Sequence, residues 1–437
     1  MNLLLVTLGC SKNQVDSEML LGLFKNYGMT IVTDPNIADI IVVNTCGFIE
    51  SAKKEAIETI LDMADYKEVG VCKYLIVTGC LAKRYKKDIL ENMPEVDLCI
   101  GVDEYQDLDQ ILSNFFNHKC LHQSLDFNNR EISTTFPLAY IRISDGCNNR
   151  CSYCAIPSIR GKFKSRPMEE ILTEVELLAN KGISEFCIIS QDTSKYGLDI
   201  YGKLMLPELL KKITRIDGVK WVRILYMYIF ETSDELIDEI ATNDKICKYF
   251  DIPIQHLSNK ILKSMNRYDT KEMIYETVEK IRSKIPEVVL RTTVMVGFPG
   301  ETKKDYEILR QGIIDLKFDR LGAFTYSPEE GTASCTFKNQ VSQKVKDERL
   351  KDVFEIQKHI SLEKNRERIG RQYEVIVYDI TEDERYFVCR SMYEAPDVDG
   401  RIYIKIDEES ASKVIVGDYI QVKIIDCDDY DLFAKVI

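Results

Sequence analysis

Short unbroken apolar runs alternate with stretches whose apolar residues recur every three or four positions through the first hundred residues. The runs at 3–10, 39–46 and 74–80 are rich in Leu, Ile and Val, and helical patterns follow the first two near 15–27 and 51–66. Strands alternating with helices predict a parallel sheet, and continuous apolar runs predict strands covered on both faces. Each run ends in a cysteine, at Cys10, Cys46 and Cys80. Ligands in such sheets gather at the carboxyl ends of the strands. The three thiols are therefore expected to meet, although 36 and 34 positions separate them along the chain.

A polar stretch without periodicity at 117–136 reads as a linker. Beyond it, strand patterns at 139–144, 185–190, 219–226, 249–253, 288–296 and 320–326 alternate with helical ones, among them 168–180, 232–241, 271–283 and 303–316. Six such β/α units predict an open (β/α)6 array, with room left for a large substrate, rather than a closed eightfold barrel. A charged helical connector at 343–368 leads to period-two patterns at 373–378, 385–391, 401–406, 419–424 and 432–437. Five short strands with turn signals predict a small antiparallel barrel. The fold class is α/β: a parallel, Rossmann- or flavodoxin-like domain at 1–116, the linker at 117–136, an incomplete TIM-like barrel at 137–368, and the terminal barrel at 369–437.

The chain's 437 residues are enough for more than one core. Its net charge of −13 is unevenly spread. Residues 1–132 carry 12 Lys and Arg against 20 Asp and Glu, residues 370–437 carry 8 against 16, and the middle is slightly basic. Both ends repel polyphosphate on average and favour a basic partner. Fourteen cysteines, with no basic leader before the first apolar run, predict a reducing compartment with metal-bound or free thiols. No apolar run reaches the roughly 18 residues of a membrane span. A cytoplasmic protein with no membrane partner is expected.

The run Gly146-Cys147-Asn-Asn-Arg-Cys151-Ser-Tyr-Cys154 changes the picture most. Three thiolates can hold three irons of a [4Fe-4S] cube and leave the fourth open to a ligand, whereas four would fill a cluster meant only for electron transfer. A zinc site usually wants four ligands in paired sets, and no His lies near this run. The form resembles the radical S-adenosylmethionine (radical SAM) superfamily, in which SAM's amino and carboxylate groups occupy the open iron. The same resemblance puts Tyr153 beside the adenine, Gln191 where many members bind the SAM amino group, and Gly297 and Gly300 in the adenine-contacting loop Gly297-Phe-Pro-Gly300-Glu-Thr. As residues alone, Tyr153 could equally pack in a core and the glycines could serve a strand-to-helix turn.

Together these features resemble the methylthiotransferase family of radical SAM enzymes over nearly the whole chain. The contexts Leu-Gly-Cys10-Ser-Lys-Asn, Val-Asn-Thr-Cys46-Gly-Phe-Ile-Glu and Thr-Gly-Cys80-Leu-Ala-Lys-Arg match the family's N-terminal domain, whose cysteines hold a second [4Fe-4S] cluster. Residues 369–437 look like its TRAM domain. The resemblance implies a transferase with two [4Fe-4S] clusters, SAM as both radical source and methyl donor, and an electron donor such as flavodoxin or ferredoxin. It implies no catalytic side chain beyond the cluster ligands and does not identify the sulfur donor.

The runs Gln191-Asp-Thr-Ser-Lys-Tyr-Gly197, Asp251-Ile-Pro-Ile-Gln-His256 and Ala395-Pro-Asp-Val-Asp-Gly400 resemble one branch. That branch methylthiolates the β-carbon of an aspartate in ribosomal protein S twelve, a basic protein met alone or on the small subunit. The alternative is the transfer-RNA branch, which acts on a modified adenosine beside the anticodon and generally shows a Gln-Asn-Val type of run at Gln191. An RNA-gripping barrel places Lys and Arg against phosphates, whereas an acidic one suits a basic protein. His256 reads as a hydrogen-bonded structural residue. Cys72, Cys99, Cys120, Cys187, Cys247, Cys335, Cys389 and Cys427 read as packing residues. Ile229 stands where the family usually has Pro.

Overall fold

The computed structural model describes residues 1–117, 123–407 and 414–437. The chain packs into two compact units, one of 1–133, 140–164 and 327–332, the other of 134–139, 165–326 and 333–437.

The first unit is built on a five-stranded parallel sheet, in the order Thr30–Ile31, Asn2–Thr7, Ile40–Thr45, Tyr74–Gly79, Leu98–Gly101. The middle strand is buried at every position, which is why its sequence is continuously apolar up to Asn44. One face packs Ile41 and Val43 against Ala56 and Ile60 of helix Glu50–Ala64 and Leu81 and Ile89 of helix Cys80–Asn92. The other packs Ile40 and Val42 against Leu20, Leu23 and Phe24 of helix Ser11–Asn26 and Leu108 and Leu112 of helix Leu108–Phe116. Each such side chain contributes roughly 1.5–3 kcal/mol when fully buried.

The segment expected to be a linker is tied down in part. Arg130 is buried, donating to Glu18 at 2.6 Å and to the Tyr140 carbonyl at 2.6 Å. Gly22 of the helix leaves room for it, since a Cβ there would lie 1.8 Å from the Asn129 carbonyl oxygen. Residues 118–122, Cys120 among them, lie outside the described residues.

In the second unit the β/α strands form two sheets. One pairs Trp221–Ile224 with Glu185–Ile189 in parallel. The other runs Tyr249–Asp251, Val289–Val296, Arg320–Thr325, all parallel. The array is open, as the six β/α patterns predict. Helices Met168–Asn180 and Lys303–Leu316 have the expected bounds.

The 24-residue helix Gln343–Arg366 leads into a closed barrel ordered Gln372–Ile380, Tyr386–Ser391, Ile402–Lys405, Leu432–Val436, Tyr419–Cys427. The expectation of a wholly antiparallel barrel needs correcting, because Ile402–Lys405 pairs with Leu432–Val436 in parallel. A ring of five strands cannot alternate direction all the way round, so one parallel pair is forced. Among the described residues no helix is long and apolar enough to cross a membrane.

Candidate metal centre

The carboxyl ends of three adjacent strands in the first unit carry the three separated cysteines. Cys10 lies just before helix Ser11–Asn26, Cys46 follows strand Ile40–Thr45, and Cys80 opens helix Cys80–Asn92. A glycine beside each one makes the approach possible. Gly9 has φ +93°, and a Cβ there would lie 2.7 Å from Cys46 Cβ and 3.0 Å from its Sγ. At Gly47 a Cβ would lie 2.8 Å from the Leu81 backbone, and at Gly79, with φ +102°, 2.4 Å from the Thr45 carbonyl oxygen. Only glycine takes these conformations and contacts without strain.

Polar side chains then lock the strand ends together. Asn13 donates to the Leu8 carbonyl at 3.0 Å and to the Thr45 carbonyl at 3.1 Å. Asn44 donates back to the Asn13 carbonyl at 2.9 Å, and Thr45 to the Thr78 carbonyl at 2.5 Å. Burial pushes the Cys80 thiol up to about 12, and the neighbouring Cys10 and Cys46 charges add to this against the opposing pull of Arg160. Cys46 is raised as well, by burial first and by Cys10. Burial makes deprotonation of these thiols costly, so they become thiolates only when a metal is there to take the charge.

The second cysteine set lies in the same unit. Gly146, with φ +71°, leaves room for the Lys162 carbonyl oxygen, which a Cβ would meet at 2.2 Å. Cys147 N donates to the Gly161 carbonyl at 3.1 Å and Phe163 N to Asn148 Oδ1 at 3.1 Å, closing the loop. Asn149 N points at Cys147 Sγ at 3.4 Å. Burial pushes Cys154 up to about 12, with the Cys151 and Cys147 charges adding. Among the described residues no three His, Cys, Asp or Glu groups close around one ion. The links inside each set are the charges of Cys10 and Cys46 acting on Cys80 and those of Cys147 and Cys151 acting on Cys154.

Between the two sets stands Arg160, the last residue of helix Ile156–Arg160. Its guanidinium reaches Asp16 Oδ2 at 2.7 Å, Asn13 Oδ1 at 2.7 Å and Cys80 Sγ at 3.5 Å. Asp16 also takes Arg142 at 2.5 Å, and Cys80 packs on Ile159 of the same helix and on Ala155, which precedes it. Sequence reading missed this group, as it missed the roles of Gly9, Gly47 and Gly79.

The remaining site candidates fall on both units. Tyr153 is partly buried in the first, whereas Gln191, Gly297 and Gly300 belong to the second. Gly297, at φ +75°, makes room for the Lys346 side chain, whose Cγ a Cβ would meet at 2.3 Å. Gly300 has φ +82° and open space around it. Glu301 anchors this loop by accepting from Gly297 N at 2.7 Å, Phe298 N at 3.2 Å and Arg349 at 2.6 Å. His256 is fully buried, with Nδ1 accepting from Leu257 N at 2.9 Å and Ser258 N at 2.8 Å. Its Nδ1 is hydrogen-bonded as expected, whereas the buried Nε2 makes no hydrogen bond among the described residues and lies 3.6 Å from Glu301 Oε2. Ile229 is buried and Phe230 beside it is exposed. Tyr226 (φ +63°) and Gln255 (φ +65°) take left-handed backbone just beyond neighbouring barrel strands, a strain that clusters at functional sites. Cys72, Cys99, Cys187, Cys247 and Cys389 are buried, and Cys335 and Cys427 half-buried.

Comparison with known proteins bears on what these groups do. Residues 2–101 match the model described as uncharacterized protein family UPF0004, 141–311 that of the radical SAM superfamily, and 369–437 that of the TRAM domain. A relative from Acetivibrio thermocellus, named ribosomal protein uS12 methylthiotransferase RimO, is 45% identical, with 99% of this chain and 98% of that one covered. Proteins of the same name from Clostridium novyi and Clostridium botulinum are 46% and 47% identical, each with 99% of this chain and 97% of the relative covered. Among solved structures, the radical SAM methyltransferase TsrM from Kitasatospora setae superposes with a TM-score of 0.56 at 15% identity, over 74% of each chain. The cobalamin-dependent radical SAM enzyme OxsB gives 0.51 at 12% identity, over 82% of this chain and 56% of the other. At such identities the likeness concerns the fold.

Proposed function

This chain belongs to the ribosomal protein uS12 methylthiotransferase family, and from that premise we propose that it converts a β-C–H of an aspartate in uS12 into C–S–CH3. Two cysteine sets of three, each suited to a [4Fe-4S] cluster with an open iron, carry the reading. Cys147, Cys151 and Cys154 hold one cluster in this proposal, and Cys10, Cys46 and Cys80 the other. Tyr153, Gln191, Gly297 and Gly300 are the proposed SAM contacts. When bound, the clusters would pass on the donor's electron and carry the incoming sulfur, and SAM would supply the radical that removes hydrogen and the methyl group.

The chain's own residues have preparatory tasks. Gly9, Gly47 and Gly79 let three strand ends converge, and the Asn13, Asn44 and Thr45 hydrogen bonds fix their spacing before any cluster arrives. The 161–163 backbone holds the second cysteine loop shut. The division into 1–116, 117–136, 137–368 and 369–437 belongs to the same proposal, as do cytoplasmic action and a flavodoxin- or ferredoxin-type electron donor.

Incubation of the reconstituted protein with SAM and reductant, in parallel with uS12 and with anticodon-arm RNA, tests the assignment. A gain of about 46 Da on a uS12 aspartate is expected, since S and CH3 replace one H on the accepting carbon. Methylthio-adenosine in the RNA, beside an unmodified protein, would transfer the chain to the alternative substrate class.

A further inference from the structure

We propose that Arg160 is a positioning residue that hydrogen-bonds the Cys80 thiolate and thereby raises the reduction potential of the cluster held by Cys10, Cys46 and Cys80. The inference rests on the two-cluster reading above.

Geometry carries it. Arg160 ends the short helix that begins two residues after Cys154, yet its guanidinium points at the other cysteine set, 3.5 Å from Cys80 Sγ. The side chain is 4% exposed, so its charge is weakly screened there. Three neighbours aim it: Asp16, itself 1% exposed, at 2.7 Å, Asn13 Oδ1, also at 2.7 Å, and Asp145 Oδ2 at 3.6 Å. Asn13 simultaneously braces the strand ends that precede Cys10 and follow into Cys46. Asp16 is shared with Arg142, and the Arg160 Nη2 that meets Asp16 and Asn13 is the same nitrogen that reaches sulfur. Below it, Ala155 and Ile159 pack on Cys80, so the helix cannot swing away without opening that contact.

The chemistry follows from charge. Reduction adds an electron to a cluster whose thiolates already carry negative charge. A permanently cationic N–H donor at one of the sulfurs favours the more negative state and makes reduction easier. Because the donor is borne by the element that follows Cys154, one cysteine set also tunes the other's electron affinity. A lysine keeps the charge but lacks the rigid planar head whose orientation Asp16, Asn13 and Asp145 fix, and glutamine keeps a donor without charge.

The test is a potentiometric titration followed by EPR on the full-length reconstituted protein, comparing wild type, R160Q and R160K. A variant with Cys147, Cys151 and Cys154 changed to Ala identifies which midpoint belongs to the Cys10, Cys46 and Cys80 cluster. That midpoint should fall in R160Q and fall less in R160K, while the other stays in place. An unchanged midpoint in an R160Q protein that still holds about eight irons per chain overturns the proposal. Should R160Q fail to hold that cluster, R160K decides: a lowered midpoint supports the role and a wild-type midpoint overturns it. A wild type showing only one midpoint would sink the two-cluster reading, and the arginine's role with it. Two midpoints that neither variant moves sink the arginine's role alone.

Discussion

At the scale of single residues, the first cysteine set depends on glycine as much as on sulfur. Gly79 combines φ +102° with a contact of 2.4 Å that any Cβ would make with the Thr45 carbonyl oxygen. An alanine there meets both the left-handed penalty of about 1 kcal/mol or more and a steric clash with a backbone that three strands hold rigid. Gly79→Ala should therefore push the strand carrying Cys80 away from its neighbour and reduce iron from about eight to about four per chain. Quantitative iron and sulfide analysis checks this, and full iron content in a folded variant would refute it. Little of this was legible in the sequence. A glycine next to a cysteine looks like a turn residue, and its real neighbour, Thr45, is 34 positions away. Arg160 was invisible for the same reason, since its partners Asp16 and Cys80 lie in separate stretches of the chain.

Elements were easier to read wherever one face is steadily apolar. Helices Met168–Asn180 and Lys303–Leu316 bury Ile171, Val175 and Leu178, and Leu309, Ile313 and Leu316, at regular helical spacing. Helix Cys80–Asn92 escaped notice because it buries only Cys80, Leu81, Ala82 and Ile89, carries four basic residues between them, and is interrupted at Tyr85 (φ −131°, ψ 28°). The parallel pair in the terminal barrel was likewise beyond a strand-by-strand reading, because it follows from ring closure. The element scale also bears on whether the clusters are separable. The two cysteine sets use different backbone supports, strand ends in one case and a loop closed by 161–163 in the other. Changing Cys147, Cys151 and Cys154 to Ala should leave about four irons per chain and abolish SAM cleavage. Changing Cys10, Cys46 and Cys80 instead should preserve 5′-deoxyadenosine formation and eliminate methylthiolated product. Chromatography of the nucleoside and mass spectrometry of uS12 read the two outcomes, and product at the wild-type rate in the second variant would remove that set from sulfur transfer.

For the whole molecule, the distribution of charge decides what kind of partner its acidic ends admit. Residues 370–437 carry 16 Asp and Glu against 8 Lys and Arg, so a phosphate backbone is repelled and a basic protein attracted. Not every acid on the terminal barrel is available for that purpose. Asp428 accepts from Tyr430 N at 2.9 Å and Asp431 N at 2.7 Å, Asp431 from Arg401 N at 2.6 Å, and Asp429 pairs with Lys358 at 3.0 Å. Reversing those would damage a turn and blur the result. Asp379 and Asp426 are exposed at the two bulges of the barrel and each accepts from the N–H of the next residue, at 2.8 Å, without closing a turn, and Glu382 is exposed in the first hairpin. Replacing these three by Lys should weaken engagement of uS12 on the order of tenfold at low salt, chiefly through slower association. The difference should shrink as added salt shortens the screening length towards about 8 Å at physiological ionic strength. SAM cleavage without uS12 should be unchanged, because none of the three residues belongs to either cysteine site. Association rates measured across a salt series separate the possibilities: equal rates and equal salt slopes for wild type and variant would show that the acidic barrel plays no part in recruiting the substrate.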